Sequence, residues 1–231
     1  MCGIFCRISR YGHHDVPESM KSLLSRRGPD TIHEHKFEVN GVYVSLVCSV
    51  LSMRGPCVVP QPLINSKSGS ILCWNGEAWK IGEDLVSEND SQRAFSLLIS
   101  AASDTLESEK AVLAAFSKIR GPFAYVFYDG TNQRLYFGRD CLGRRSLVRR
   151  IPEDGDITVA SVSDPNLHNA WVEVEADGLY MLPLRTKSSE TSKDAFTVQH
   201  VPLSFSNDIP PSPLHFVSIH TPSIWKGLKP C

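Results

Sequence analysis

Two apolar runs joined by a turn signal constrain the fold of this chain more than any other segment does. Residues 123–128 and 134–138 are rich in aromatic and aliphatic side chains, which are typical of strands. Asp129-Gly130 follows the first run and is a typical turn pair. The pattern predicts an antiparallel hairpin, and the fold therefore contains at least one antiparallel sheet.

Further segments predict a mixed α+β fold. Helical spacing of apolar residues indicates helices over 90–102 and 108–119, and either Asn89 or Asp90 is placed to cap the first of them. Additional strands are predicted at residues 42–48, 70–74, 157–162 and 178–184. Asn75-Gly76 follows one of these strands, and its simplest interpretation is a hairpin turn. We expect the helices to pack on one face of a sheet.

The chain changes character after residue 185. Residues 186–194 are polar and lack periodicity, and the following segment contains many prolines. Proline removes a backbone donor and is poorly tolerated inside sheets. We therefore expect a domain over residues 1–185 and, over residues 186–231, a proline-rich linker or tail without regular structure.

Composition excludes several classes of function. The net charge of -1 disfavours a nucleic-acid partner, and a cluster of arginines at positions 144, 145, 149 and 150 is interpreted as a solvated rim. No apolar stretch reaches membrane-spanning length, and no signal peptide is recognisable. Seven cysteines without paired spacing suggest reduced thiols, and the histidines lack zinc-site spacing. We expect a soluble cytoplasmic protein with no metal site and no membrane partner.

A cysteine at the second position makes an N-terminal nucleophile plausible. Removal of Met1 would leave Cys2 with a thiol and a free α-amine in one residue, so that nucleophile and base arrive together. Gly3 allows close approach of the backbone to a substrate. The alternative is an arbitrary cysteine near the start of the chain.

Four segments together resemble class II glutamine amidotransferase domains. They are Met1-Cys2-Gly3-Ile4, Arg27-Gly28-Pro29-Asp30, Trp74-Asn75-Gly76-Glu77 and residues 137–145, and the last is most similar to the asparagine synthetase branch. Each segment alone is weak evidence, but the ordered set is specific. The resemblance implies an N-terminal-nucleophile αββα sandwich with two mainly antiparallel sheets between helices. It also implies L-glutamine as the substrate, hydrolysed to glutamate and ammonia.

The resemblance assigns three catalytic residues. The Cys2 thiolate attacks the amide carbon while its own amine moves the proton, so no catalytic histidine is needed. Asn75 and Gly76 supply the side-chain amide and the backbone N–H that an oxyanion requires.

It also assigns three substrate-binding residues. Arg54 holds the α-carboxylate and Asp90 the α-ammonium, while Glu77 completes the pocket. From the residues alone, a solvated loop arginine is the simpler interpretation of Arg54, and a helix N-cap is the simpler interpretation of Asp90. Arg27-Gly28-Pro29-Asp30 and Gly138-Arg139-Asp140 are expected to be scaffold.

Nothing in the sequence matches a synthetase active site. The chain has no Ser-Gly-Gly pyrophosphate loop and no GxxxxGK[ST] motif. We therefore expect no cofactor in this chain, with ATP and Mg needed only if a synthetase domain is supplied elsewhere. A separate synthetase or acceptor domain is the expected partner, and residues 186–231 are interpreted as the possible stub of such a domain. Two alternatives stay open: hydrolysis of another amide, and a non-catalytic binding module with the same fold.

Overall fold

The computed structural model describes most of the chain, and its secondary structure is mainly β. The described residues are 1–103, 106–152, 155–166, 171–184, 196–202 and, for the backbone, 215–217. The helices are α1 (Glu18–Arg27), α2 (Asp90–Ala102) and α3 (Ser108–Ser117). The strands are β1 (Gly3–Ser9), β2 (Thr31–Val39), β3 (Val42–Val50), β4 (Leu63–Ile64), β5 (Ile71–Gly76), β6 (Lys80–Ile81), β7 (Asp84–Leu85), β8 (Ile119–Arg120), β9 (Phe123–Asp129), β10 (Arg134–Arg139), β11 (Val148–Arg150), β12 (Ile157–Ala160), β13 (Val172–Glu173), β14 (Gly178–Pro183), β15 (Val198–Pro202) and β16 (His215–Val217).

Two large antiparallel sheets form the centre of the molecule. One has six strands in the order β13-β11-β12-β1-β3-β2, and the other has seven in the order β16-β15-β14-β10-β9-β5-β4. A small third sheet has the order β7-β6-β8. The predicted α+β class with two mainly antiparallel sheets is confirmed.

The alternation of side chains along β1 explains the layers. Ile4, Cys6 and Ile8 point into a core shared by the two large sheets. Phe5 points the other way and packs in a cluster with Met20 and Leu24 of α1. Helices α2 and α3 cover the outer face of the seven-stranded sheet through a third cluster. The layers therefore follow the order α1, sheet, sheet, α2 with α3, as the αββα prediction requires.

The start of the chain is fixed in the middle of a sheet. Strand β1 is hydrogen-bonded to β12 on one side and to β3 on the other. The Ile4 backbone N–H also donates to Ser161 Oγ at 2.9 Å. A side chain at Gly3 would collide with Ser49 Oγ and the Leu24 side chain, which explains the glycine. Residues just before β1 are thereby held in place, unlike most chain termini.

Several sequence predictions agree with the structure. Helix α2 has the predicted bounds, and Asn89 is its cap, with Oδ1 accepting from the Gln92 N–H at 3.2 Å. Strands β9 and β10 form the predicted hairpin. The interpretation of Asn75-Gly76 as a turn is wrong, because both residues lie in β5 opposite Ala124 and Phe123. The pairing of β5 with the distant strand β9 overrides the local turn preference.

The prediction of no regular structure after residue 185 is also wrong. Strand β15 pairs with β14, and β16 pairs with β15. Phe196 and Val198 are buried in the core between the sheets. The prolines are tolerated because Pro202 is the last residue of β15, where the ladder ends. The polar segment 186–194 lies outside the described residues. The interpretation of residues 186–231 as the stub of a synthetase domain stays a prediction.

Two further observations concern membranes and thiols. No helix within the described ranges is long and apolar enough to cross a bilayer. The six described cysteines are free, and Cys48 and Cys73 are buried as small apolar side chains, as predicted.

Val198→Asp and Gln199→Asp test the place of β15 in the fold. Val198 is 1% exposed and faces the core, whereas Gln199 is only half-buried. An unpaired buried charge costs several kcal/mol, so Val198→Asp should lower the free energy of unfolding by about 3 kcal/mol or more, and Gln199→Asp by about 1 kcal/mol. Urea unfolding followed by fluorescence measures both, and equal losses would contradict the burial of Val198 between the sheets.

Candidate active site

An open cleft lies where four parts of the fold meet: the residues before β1, the loop after β3, the end of β5 and the start of α2. It encloses about 570 Å³, including space open to solvent. All six residues predicted to form the site line this cleft, namely Cys2, Arg54, Asn75, Gly76, Glu77 and Asp90. The structure therefore brings together every predicted site residue, while their roles remain predictions.

The Cys2 thiol is half-buried at one wall of the cleft. Its Sγ lies 3.8 Å from the Leu51 carbonyl oxygen, and its own carbonyl accepts from Arg27 Nε at 3.1 Å. Burial raises the pKa of the Cys2 thiol, because the thiolate loses solvation. With Met1 attached, the Cys2 nitrogen is an amide and cannot act as a base, so catalysis by this residue requires removal of Met1.

The segment around Arg27 holds the N-terminus and the neighbouring loop. Arg27 fixes the Cys2 carbonyl, and Asp30 accepts from the Ser52 N–H at 2.7 Å while its own N–H donates to Val50. A side chain at Gly28 would meet the Val50 backbone nitrogen at 2.5 Å, so only glycine permits this approach. The predicted scaffold role of this segment agrees with these contacts.

Asn75 is a buried amide whose side chain has no hydrogen-bond partner in the described part of the chain. It is 1% exposed, and neither Oδ1 nor Nδ2 has a hydrogen-bond partner among the described residues. An unsatisfied buried polar group costs about 1–3 kcal/mol, and functional sites are among the places where native proteins keep one. Because Asn75 lines the cleft, its amide is placed to bind a polar group there.

Gly76 lies against β9. A Cβ at this position would meet Phe123 Cβ at 2.5 Å, so a larger residue would push the strand end away. Phe123 is in turn fixed by Asp140, which accepts from its N–H at 3.1 Å and donates its own N–H to the Phe123 carbonyl at 2.8 Å. Asp140 also accepts from Arg144 Nε at 2.9 Å. The predicted scaffold residue Asp140 therefore supports the strand end that carries Gly76.

Arg54 is held by an ion pair and a carbonyl. Its Nε donates to Glu77 Oε1 and its Nη1 donates to the Val86 carbonyl, both at 2.9 Å. The alternative of a solvated loop arginine is wrong, because these contacts fix the guanidinium beside the cleft. Glu77 thus orients Arg54 in addition to lining the cleft.

Asp90 is a buried carboxylate at the start of α2. Its Oδ2 accepts from the Ala78 N–H at 2.8 Å and from Trp74 Nε1 at 3.1 Å. Burial raises the pKa of Asp90 despite these hydrogen bonds. The N-cap alternative is wrong for Asp90, since Asn89 occupies that position.

Arg145 and Gln61 are among the residues that line the cleft without having been predicted to do so. Arg145 Nη1 lies 3.4 Å from Met1 Sδ, although the arginine cluster was interpreted as a solvated rim. Gln61 is 4% exposed, and its Oε1 accepts from the Trp74 N–H at 2.6 Å. Arg145 lies in a segment that carried the family resemblance, and this was the available signal. No site role was predicted for Gln61, which lies in the segment between β3 and β4.

Comparisons with known proteins show the family to which the chain belongs. A family model described as "Glutamine amidotransferase domain" matches residues 1–201. The chain is 32% identical over 194 residues to asparagine synthetase domain-containing protein 1 of Homo sapiens, covering 80% of this chain and 29% of that protein. For the same protein of Gallus gallus the identity is 33% over 197 residues, covering 80% and 29%. The chain thus spans about three-tenths of these relatives, which confirm the resemblance to the asparagine synthetase branch.

A solved structure supports the fold. Glutamine phosphoribosylpyrophosphate amidotransferase from B. subtilis, complexed with ADP and GMP, superposes with a TM-score of 0.60. The match covers 88% of this chain and 50% of that one at 14% identity, and at this identity it shows the fold alone.

The reactivity of Cys2 tests its environment while Met1 is still attached. Alkylation requires the thiolate, and a raised pKa leaves less thiolate at a given pH. At pH 7.5, iodoacetamide should therefore modify Cys2 more slowly in the folded chain than in the urea-unfolded chain. The pH at which the alkylation rate reaches half of its maximum should also be higher in the folded chain. Peptide mass spectrometry measures this, and the exposed Cys57 serves as the control. Equal rates at Cys2 in both states would contradict the description.

Proposed function

Because the chain belongs to the glutamine amidotransferase domain family, we propose that, once Met1 is removed, it hydrolyses L-glutamine to glutamate and ammonia with Cys2 as the nucleophile. One observation carries the proposal: the buried Asn75 amide, without a described partner, lies in the same cleft as the second residue of the chain. The Asn75 amide is the proposed donor to an oxyanion. Cys2, once Met1 is removed, has a thiol and an α-amine that serves as its base.

The chemistry needs only groups of this chain and water. The Cys2 sulfur forms a bond to the glutamine side-chain carbon, and its α-amine accepts the thiol proton. The C–N bond then breaks, ammonia leaves with that proton, and a thioester remains. Water attacks the thioester with the amine again as base, which releases glutamate and restores the thiol. These steps call for no cofactor.

The carbonyl oxygen gains negative charge in both steps. Asn75 Nδ2 is the proposed side-chain donor, and the Gly76 N–H is the proposed backbone donor. Because neither donor needs to be reoriented during the reaction, their preorganisation lowers the barrier. The rigid pairing of β5 with β9 supports this role.

The charged ends of glutamine fit the other groups of the cleft. Arg54 is proposed to bind the α-carboxylate with the guanidinium edge that its contacts with Glu77 and Val86 leave open. Asp90 is proposed to bind the α-ammonium as a carboxylate. Opposite charges at two fixed positions would select an α-amino acid and reject a simple amide.

The fate of the ammonia is proposed from the relatives. Their name contains "asparagine synthetase domain", and we propose that the ammonia serves an ATP-dependent amidation on a separate synthetase or acceptor domain. ATP and Mg would act there and not in the glutamine cleft. A role in asparagine biosynthesis and a cytoplasmic location are part of the same proposal.

Labelling with a glutamine-analogue electrophile tests the function. Intact mass first establishes whether Met1 is absent, and peptide mapping then locates the adduct. We expect the adduct on Cys2, with glutamate released from glutamine by the unlabelled protein and no activity in Cys2→Ala. Cys57→Ala, a substitution of an exposed thiol outside the cleft, is the control. Absence of label favours a binding module, and release from a different amide favours another amidohydrolase.

Substitution of two buried asparagines separates catalysis from stability. Asn75→Ala should lower kcat about 100- to 1,000-fold with little change in the free energy of unfolding, because it removes an oxyanion donor without breaking a described hydrogen bond. Asn132→Ala should leave kcat unchanged and lower the free energy of unfolding by about 1–3 kcal/mol, because Asn132 donates to the Ala102 carbonyl at 2.8 Å. Steady-state kinetics and urea unfolding measure both effects, and an Asn75→Ala enzyme with normal kcat would refute the assigned role.

The pH dependence of glutamine binding tests Asp90. The ammonium group binds only the ionised carboxylate, so KM should rise as the pH falls through the pKa of Asp90. Since burial raises that pKa, this loss should begin at higher pH than for an ordinary aspartate. Asp90→Asn should have a higher KM that is insensitive to pH in the same range. An unchanged KM in Asp90→Asn would exclude the contact.

A further inference from the structure

Gln61 occupies a position where a backbone ladder stops. Strand β4 pairs with β5 only at Leu63 and Ile64, opposite Leu72 and Ile71. Extending this antiparallel register by two residues places Gln61 opposite Trp74. Pro62 lies between Gln61 and Leu63 and has no N–H to donate. The backbone of β4 therefore does not continue to the part of β5 that lines the cleft.

The side chain of Gln61 supplies the acceptor that the backbone of β4 does not provide at this point. Its Oε1 accepts from the Trp74 N–H at 2.6 Å in a site where Gln61 is 4% exposed and Trp74 is 1% exposed. An N–H at this depth requires an acceptor, so the amide must turn its oxygen towards Trp74. The contact thus fixes both the strand end and the orientation of the Gln61 amide.

Trp74 connects this contact to two parts of the cleft. It directly precedes Asn75, so the position of its backbone determines where the Asn75 amide points. Its indole Nε1 donates to Asp90 Oδ2 at 3.1 Å. A shift of Trp74 would therefore move the proposed oxyanion donor and the proposed ammonium ligand together.

We propose that Gln61 is a positioning residue for glutamine hydrolysis, which holds Asn75 and Asp90 in their reactive places through the backbone of Trp74. This inference rests on the proposed function. Gln61 would act only by positioning other groups. Its substitution should therefore slow the reaction with a glutamine-like substrate without changing the intrinsic reactivity of the Cys2 thiol.

The test compares two reagents on the full chain from which Met1 has been removed. A glutamine-analogue electrophile needs the oxyanion donors and the substrate pocket, whereas iodoacetamide needs only the thiolate. Gln61→Met keeps the shape but removes the acceptor. Gln61→Glu restores an oxygen acceptor, and Gln61→Asn withdraws it by one methylene. Gln92→Met, on the exposed side of α2, is the matched control.

We expect the ratio of the two labelling rates at Cys2 to fall about 10- to 100-fold in Gln61→Met, the loss typical of a small misplacement of catalytic groups. Gln61→Asn should show a smaller loss, and Gln61→Glu and Gln92→Met should stay within about threefold of the unsubstituted protein. If Gln61→Met does not fold, the contrast between Gln61→Asn and Gln61→Glu carries the same test.

Two outcomes would overturn the inference while leaving the proposed function intact. One is a normal ratio in folded Gln61→Met or Gln61→Asn. The other is a loss in Gln61→Glu as large as in the variants that lack or withdraw the acceptor, since an oxygen acceptor would then not be what matters. If the unsubstituted protein is not labelled at Cys2 at all, the proposed function itself fails.

Discussion

The structure depends on a strand at the very start of the chain lying in the middle of a sheet. Hydrogen bonds from β3 and β12, with Ser161 at the Ile4 N–H, fix a segment that would be mobile in most proteins. This placement gives the residue before β1 a constant position relative to β5, whose end lies in the facing sheet. A reactive group at the terminus can therefore face fixed donors, which an untethered terminus could not do.

The candidate active site is held together by short-range and long-range features. Short-range features set the individual elements: Asn89 caps α2, and glycine at positions 3, 28 and 76 allows backbones to approach closely. Long-range pairs then set their relative positions, as Arg54 with Glu77 and Asp90 with Trp74 show. The polar groups in the cleft differ sharply in how they are satisfied. Asp90 and Arg54 already have partners, whereas Asn75 has none among the described residues.

Much of this was predictable from the sequence, because it follows from local patterns. The β9–β10 hairpin and the bounds of α2 follow from periodicity, turn residues and capping, whereas the gathering of the six site residues was implied by the resemblance of the ordered motifs to a known family. What could not be predicted depends on partners far away in the chain. Asn75-Gly76 has the composition of a turn but forms a strand because β9 is available to pair with it. The role proposed for Gln61 depends on where the pairing of β4 with β5 ends. Proline counting failed after residue 185 because one terminal proline does not prevent pairing.

The place of β15 also bears on how pieces of this protein behave in isolation. Strand β14 is covered by β15 through four residue pairs. A fragment cut at residue 185 would leave that flank of the seven-stranded sheet with unpaired amides and carbonyls beside apolar side chains. Such a flank recruits strands from neighbouring molecules, so the fragment would tend to self-associate and precipitate. A fragment that ends where the proline-rich segment begins would thus be insoluble, whereas a fragment that ends beyond residue 217 would keep β15 and β16 paired on the sheet.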